Sequence, residues 1–156
     1  MIDIENEVYF PHTFLSSQTA PSQMIDIENE VYSRLEDVLA EKFKGINVTS
    51  SYVNAPAQFP HVSIVQSDSY PAMEFQTNSG NECVSVAMFQ IDVYSNKRGG
   101  SKSECKNIIH AIDEWLANHN FTRLSLTPVP NMQDATIYRL TARYRVATDG
   151  THFYRR

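Results

Sequence analysis

The sequence predicts an α+β domain: a mainly antiparallel sheet with two amphipathic helices packed on one face. Three observations lead there. Apolar residues recur at helical spacing in residues 25–43 and 101–120. Five other stretches are β-branched or alternate apolar with polar residues, and turn residues bound them. The last of these, residues 135–147, alternates so regularly that one side must face a core and the other must stay polar. With 156 residues, 42% of them hydrophobic, the chain has the size of one domain.

The first helix is expected over Ile25–Phe43, where Ile27, Val31, Leu35, Val38, Leu39 and Phe43 share a face. Asp26, Glu28 and Glu30 stand at its start, and Lys42 and Lys44 at its end before Gly45. That order suits the helix dipole and a glycine stop. Ile46–Val53 and His61–Gln66 read as strands around a turn, Asn54–Pro60, that holds two prolines. Ser67–Glu82 is polar, contains Pro71 and Gly80, and shows no sustained period, so a long loop or arm is expected there. Cys83–Ser95 reads as a long strand with Ala87, Phe89, Ile91 and Val93 on one face and Gln90 and Asp92 on the other. After the turn Asn96–Gly100, Ser101 with Glu104 has the spacing of a capping box. Cys105, Ile108, Ile109, Ile112, Trp115 and Leu116 give the second helix its apolar stripe, and His119 and Asn120 close it. Phe121–Leu126 and Ala135–Ala147 are the last strands, joined by a proline-bounded turn over Pro128–Asp134. In the final strand Tyr138, Leu140, Ala142, Tyr144 and Val146 face one way, and Arg139, Thr141, Arg143 and Arg145 the other.

Composition narrows the function classes. Thirteen Lys and Arg against 18 Asp and Glu leave a formal charge of −5, which disfavours a general nucleic-acid coat. Five Gly and seven Pro are too few for a low-complexity chain. No apolar run reaches the roughly 20 residues of a membrane helix, and the start lacks the basic and apolar regions of a signal peptide. A soluble protein made in a cytoplasm is expected, with Cys83 and Cys105 as reduced thiols.

The start of the chain is duplicated. Residues 1–9 read MIDIENEVY, and residues 24–32 read the same. Solenoid repeats recur about three times or more with a matched apolar face, whereas this match stops after Tyr32. Residues 1–23 therefore read as a leader ahead of a domain over 24–156; the alternative is an arm that docks on a neighbour. Without Asp3, Glu5 and Glu7 the remainder has 13 basic and 15 acidic residues, a charge of −2.

The search for chemistry finds no catalytic, cofactor-binding or metal-ligating set. Cys105 and His110 could pair as nucleophile and base, but five positions turn a helix by about 140°, and Cys105 lies on the apolar stripe. Asp26, Glu28 and Glu30 are spaced by two and share no helical face. Asn96–Lys102 is basic and glycine-rich yet lacks the spacing of a phosphate loop. The five histidines are scattered, with no ligand pair. The arginines of the last strand carry more weight. They either pair with strand neighbours such as Asp92 or form an oligomer interface, with Arg139, Arg143, Arg145 and Asp92 as its candidates. Charge asymmetry favours the interface: residues 24–44 hold six acids and three bases, and residues 139–156 hold five Arg and one Asp. Unlike surfaces meeting head to tail generate rings when the rotation closes. No aromatic platform accompanies the arginines, so specific nucleic-acid binding is not expected.

Three segments carry a resemblance. FPHVSIVQSD (59–68), QIDVYSNKRGGSKSECKNII (90–109) and PVPNMQDATIYRLTARYRV (128–146), in this order, resemble the small tail terminator or tail completion proteins of long-tailed bacteriophages. The likeness spans residues 24–156 and leaves out the leader, which such proteins do not generally need. It implies a tail-terminator-like fold and a structural virion protein without catalytic residues or cofactor. Such a protein forms a homohexameric ring that caps the tail tube, ends its polymerisation and joins tail to head. The implied partners are its own copies, the tail tube protein and the head connector, and the implied place is the virion after assembly in the host cytoplasm. Candidates for contact with the tail or a neighbour are Ser67, Tyr70, Phe75, Asn78, Lys97 and Arg98. A connector or minor capsid protein of the same module is an alternative. A small thiol-dependent enzyme is another, and it would need Cys105 exposed.

Overall fold

A computed structural model describes residues 24–75 and 83–155; the leader and Asn78 lie outside them. The elements run α1 (Glu28–Lys42), β1 (Asn47–Thr49), β2 (His61–Pro71), a 3-10 turn (Met73–Phe75), β3 (Ser85–Ser95), α2 (Ser101–Asn118), β4 (Thr122–Pro130), β5 (Tyr138–Thr148) and β6 (Phe153–Tyr154). One mixed sheet orders the strands β1-β2-β3-β5-β4, and β6 pairs with β5 beyond the start of β4. β1 runs parallel to β2, and each remaining pairing is antiparallel.

Side-chain alternation sorts the sheet into two faces. Val62 and Ile64 of β2, Ala87, Phe89, Ile91 and Val93 of β3, and Leu140, Ala142, Tyr144 and Val146 of β5 join the helices in one core. In α1 that core takes Ile27, Val31, Leu35 and Leu39, spaced by four and almost fully buried. Cys105, Ile108, Ile109, Ile112 and Leu116 do the same for α2. α1 packs on α2 and β2, and α2 packs on β3, β5 and β4. The domain is thus α+β with two helices against one face of a sheet.

Several local expectations are corrected. The strand expected over Ile46–Val53 shrinks to Asn47–Thr49. Beyond it the chain leaves the sheet edge, and its carbonyls serve side chains of the sheet: Ser63 Oγ donates to Ser51 O at 2.6 Å, and Tyr94 Oη donates to Val53 O at 2.5 Å. The long loop expected from Ser67 is partly strand, since β2 continues to Pro71 in register with β3. A bulge between Gln66 and Asp68 breaks the two-residue period, which is why the pattern is invisible in sequence. The turn expected from Pro128 starts later, because β4 runs through Pro128 and Pro130. An edge strand tolerates proline where the missing N–H would face solvent. The third strand begins at Ser85, not Cys83. The capping box does not form: the residue ahead of α2 is Gly100, no side chain caps the helix, and Glu104 instead accepts a hydrogen bond from the buried Ser95 hydroxyl. That bond ties the first turn of α2 to the end of β3.

Candidate functional site

The sheet face turned away from the helices gathers the arginines of β5. Asp92 stands at its centre, opposite Ser63 on one side and Thr141 on the other. Its carboxylate is 1% exposed and fully engaged. Oδ1 accepts from Arg139 Nε at 3.1 Å, from Arg139 Nη2 at 3.0 Å and from the Thr141 hydroxyl, and Oδ2 accepts from Gln90 Nε2 at 3.0 Å. The Arg139 guanidinium lies 5.4 Å from the Tyr94 ring centre, in cation–π range. Burial raises the Tyr94 hydroxyl above its ordinary pKa, the Asp92 charge adds to this and Arg139 opposes it, so the phenol stays a donor to Val53.

Nearby, the imidazole of His61 is 2% exposed and links β1 to β2. Asn47 Nδ2 is 3.0 Å from its Nδ1, and Thr49 Oγ1 is 3.1 Å from its Nε2. Burial lowers its pKa, which favours the neutral ring. This half of the face is a closed polar network under residues 51–53.

The interface candidates therefore divide. Asp92 and Arg139 are spent on each other inside the subunit, whereas Arg143, opposite Gln90, is exposed and Arg145 is half buried. The acids of α1 are on another surface: Glu36, Asp37 and Glu41 are exposed, Glu30 pairs with Arg34, and Glu28 Oε1 accepts the Gln66 amide at 3.0 Å.

The contact candidates also divide, by position along the sheet. Ser67 and Tyr70 lie on the second half of β2, where Ser67 Oγ donates to Met88 O and Tyr70 is opposite Val86 near the start of β3. Phe75 follows in the 3-10 turn and lines an open cleft of about 500 Å³ with Cys83, Val84, Ala147, Asp149, Tyr154 and Arg155. Lys97 and Arg98 are exposed just beyond the other end of β3. From Val86, opposite Tyr70, to Ser95 at the other end of β3 is roughly 30 Å at about 3.3 Å per residue, and Ser67, bonded to Met88, lies part-way along.

Between these ends runs a surface absent from the sequence-based candidates, the strand β4. It holds an outer edge of the sheet, and six consecutive residues, Arg123–Pro128, are exposed, including Leu124 and Leu126 at 43% and 40%. The sequence reads Phe121–Leu126 as a strand but gives no sign that Leu124 and Leu126 stay exposed. β6 is likewise legible only after folding: Asp149 accepts from the backbone N–H groups of Thr151 and His152 and from the Tyr154 hydroxyl, which fixes the turn into β6. These bonds hold the Asp149 carboxyl well below the usual range.

As for reactive groups, Cys105 is fully buried, its thiol faces the Val93 and Tyr138 carbonyls, and burial followed by the Glu104 charge pushes its pKa up to about 12. His110 is exposed on another side of α2. Among the described residues no group of three His, Cys, Asp or Glu could hold a metal ion, and no helix is long and apolar enough to cross a membrane. No protein-family model matches the chain, and no curated protein matches it significantly.

Proposed function

We propose that this chain is a structural virion protein of the tail-terminator kind, which assembles as a ring on a phage tail tube, stops its polymerisation and joins the tail to the head. The observation that carries the reading is the division of the subunit surface. Two groups of exposed contact candidates, Tyr70 with Phe75 and Lys97 with Arg98, stand at opposite ends of an eleven-residue strand. A ring needs that arrangement: ends for tube and connector, flanks for neighbours. The flanks carry the exposed β4 edge, Arg143 and the acidic surface of α1. The sequence resemblance supplies the phage setting and the tail-terminator-like classification of the sheet. A ring of six is the closure that this resemblance implies.

Purified protein mixed with tail tubes tests the reading. Negative-stain images should show a ring at one tube end, and tube length should stop increasing. A protein that stays monomeric at high concentration and leaves tube growth unchanged would remove it.

A further inference from the structure

The duplicated nonapeptide acquires a physical meaning once the second copy is seen in place. Residues 24–32 lay their apolar side chains into the core: Ile27 is 2% exposed, Val31 is fully buried, and Ile25 and Tyr32 pack at the margin. Polar groups fix their register. Asp26 Oδ1 accepts the Glu28 amide at 3.0 Å and opens the helix, Glu28 Oε1 accepts the Gln66 amide at the β2 bulge at 3.0 Å, and the Tyr32 hydroxyl donates to Val48 O at 3.1 Å. Residues 1–9 hold the same groups at the same spacing, with Ile2, Asp3, Ile4, Glu5, Val8 and Tyr9 in place of Ile25, Asp26, Ile27, Glu28, Val31 and Tyr32.

We propose that residues 1–9 are a second ligand for this seat, able to replace residues 24–32 within the same chain. Every side chain that the seat recognises is present twice, so the two copies differ only in the residues that come after them. The second copy continues into Leu35 and Leu39, both fully buried. The first continues into Pro11 and His12, at the places of Arg34 and Leu35. A proline seven residues into the helix ends it, and histidine loses the apolar contact. The second copy therefore holds the seat in the intact chain, and the first takes it when the second is weakened. Tethering 23 residues away keeps its effective concentration high.

The test uses full chains in a two-by-two design. One change weakens the resident copy, Ile27→Ala with Val31→Ala; the other disables the spare, Ile4→Asp with Val8→Asp. Urea midpoints and exchange of the Gln66 amide are read for all four. The spare-disabled chain should match the parent. The resident-weakened chain should lose a modest part of its midpoint and keep Gln66 protected, and the chain with both changes should lose distinctly more and expose Gln66. Val31→Ala alone replaces the double change if that variant does not fold. Equal losses with and without a working spare overturn the proposal. Rescue that grows with protein concentration and comes with dimers overturns its intrachain form.

Discussion

Arg139 directs both Nε and Nη2 at a single oxygen of Asp92, 47 residues away in the chain, at 3.1 and 3.0 Å. The acid is 1% exposed and the arginine side chain 25%, so this pair is largely desolvated and its remaining oxygen is used by Gln90. Removing one partner of such a pair strands the other, at about 3–5 kcal/mol. Asp92→Ala should cost about that much in urea denaturation, since it leaves Arg139, Thr141 and Gln90 without their acceptor. Arg139→Ala should cost less, because Thr141 and Gln90 still bond the carboxylate. A loss below about 1 kcal/mol for Asp92→Ala would place the pair among ordinary surface bridges.

That pair also marks how far the sequence could be read. Period-two alternation put Asp92 and Arg139 on one face of their strands, and period-four spacing put Val31, Leu35 and Leu39 on one face of α1, because both patterns are local. Whether Arg139 meets its own Asp92 or a neighbour's depends on the β3–β5 register, which is set by contacts between distant segments. The strand β4 was expected, but its exposed surface was hidden for a related reason. Its leucines look like core residues, yet the strand sits at an edge that α2 covers only in part, and Leu124 and Leu126 stay exposed. Ser95 and Glu104 bond across an unforeseen corner, whereas Ser101 and Glu104 had the expected spacing and did not meet as a cap.

His61 makes stability depend on pH in a defined direction. Burial lowers its pKa in the folded chain below the ordinary 6.5, so between the two values the unfolded chain binds more protons. Stability from this residue is complete above pH 6.5, falls as pH drops toward the folded value, and is constant below it. Urea midpoints measured from pH 8 downward should decline in that window, and His61→Gln should remove that component. An identical pH profile for the variant would assign the decline to other groups.

The two thiols should react in sequence. Cys83 is exposed and Cys105 is sealed between Val93 and Tyr138. An alkylating reagent should modify one site in the native protein within minutes and the second only on unfolding, with mass mapping placing the first label on Cys83. Rapid native labelling of Cys105 would reopen the reading of a thiol-dependent enzyme. Cys105→Ala should cost about 1–2 kcal/mol through the cavity it leaves, with no other readout changed.

Arg143 is the arginine of β5 best placed for an intersubunit contact, being exposed in mid-strand opposite Gln90. Arg143→Glu should leave the unfolding free energy from urea denaturation within about 0.5 kcal/mol of the parent's, as surface substitutions do. It should also reduce ring formation on tail tubes, and a second reversal on α1, Glu36→Lys or Asp37→Lys, should restore part of it if these surfaces meet. Ring formation at the parent level by Arg143→Glu would exclude this side chain from the interface and leave the β4 edge as the contact to pursue.

Pro128 and Pro130 then decide what kind of contact β4 can make. Successive residues of a strand turn their N–H groups in opposite directions, so positions 128 and 130 turn theirs the same way. Register with β5 is continuous from Ser125↔Arg143 to Pro130↔Tyr138, and an unbroken ladder requires both prolines to face outward. The outer edge thus lacks donors in its second half, which blocks open-ended strand addition and confines pairing to the half with Leu124 and Leu126. Pro128→Thr with Pro130→Thr supplies two outward donors. The double variant should keep its fold, yet scatter light increasingly with time and concentration and bind a cross-β dye, where the parent remains clear. Equal scattering by both proteins would mean that the edge is protected by something other than its prolines.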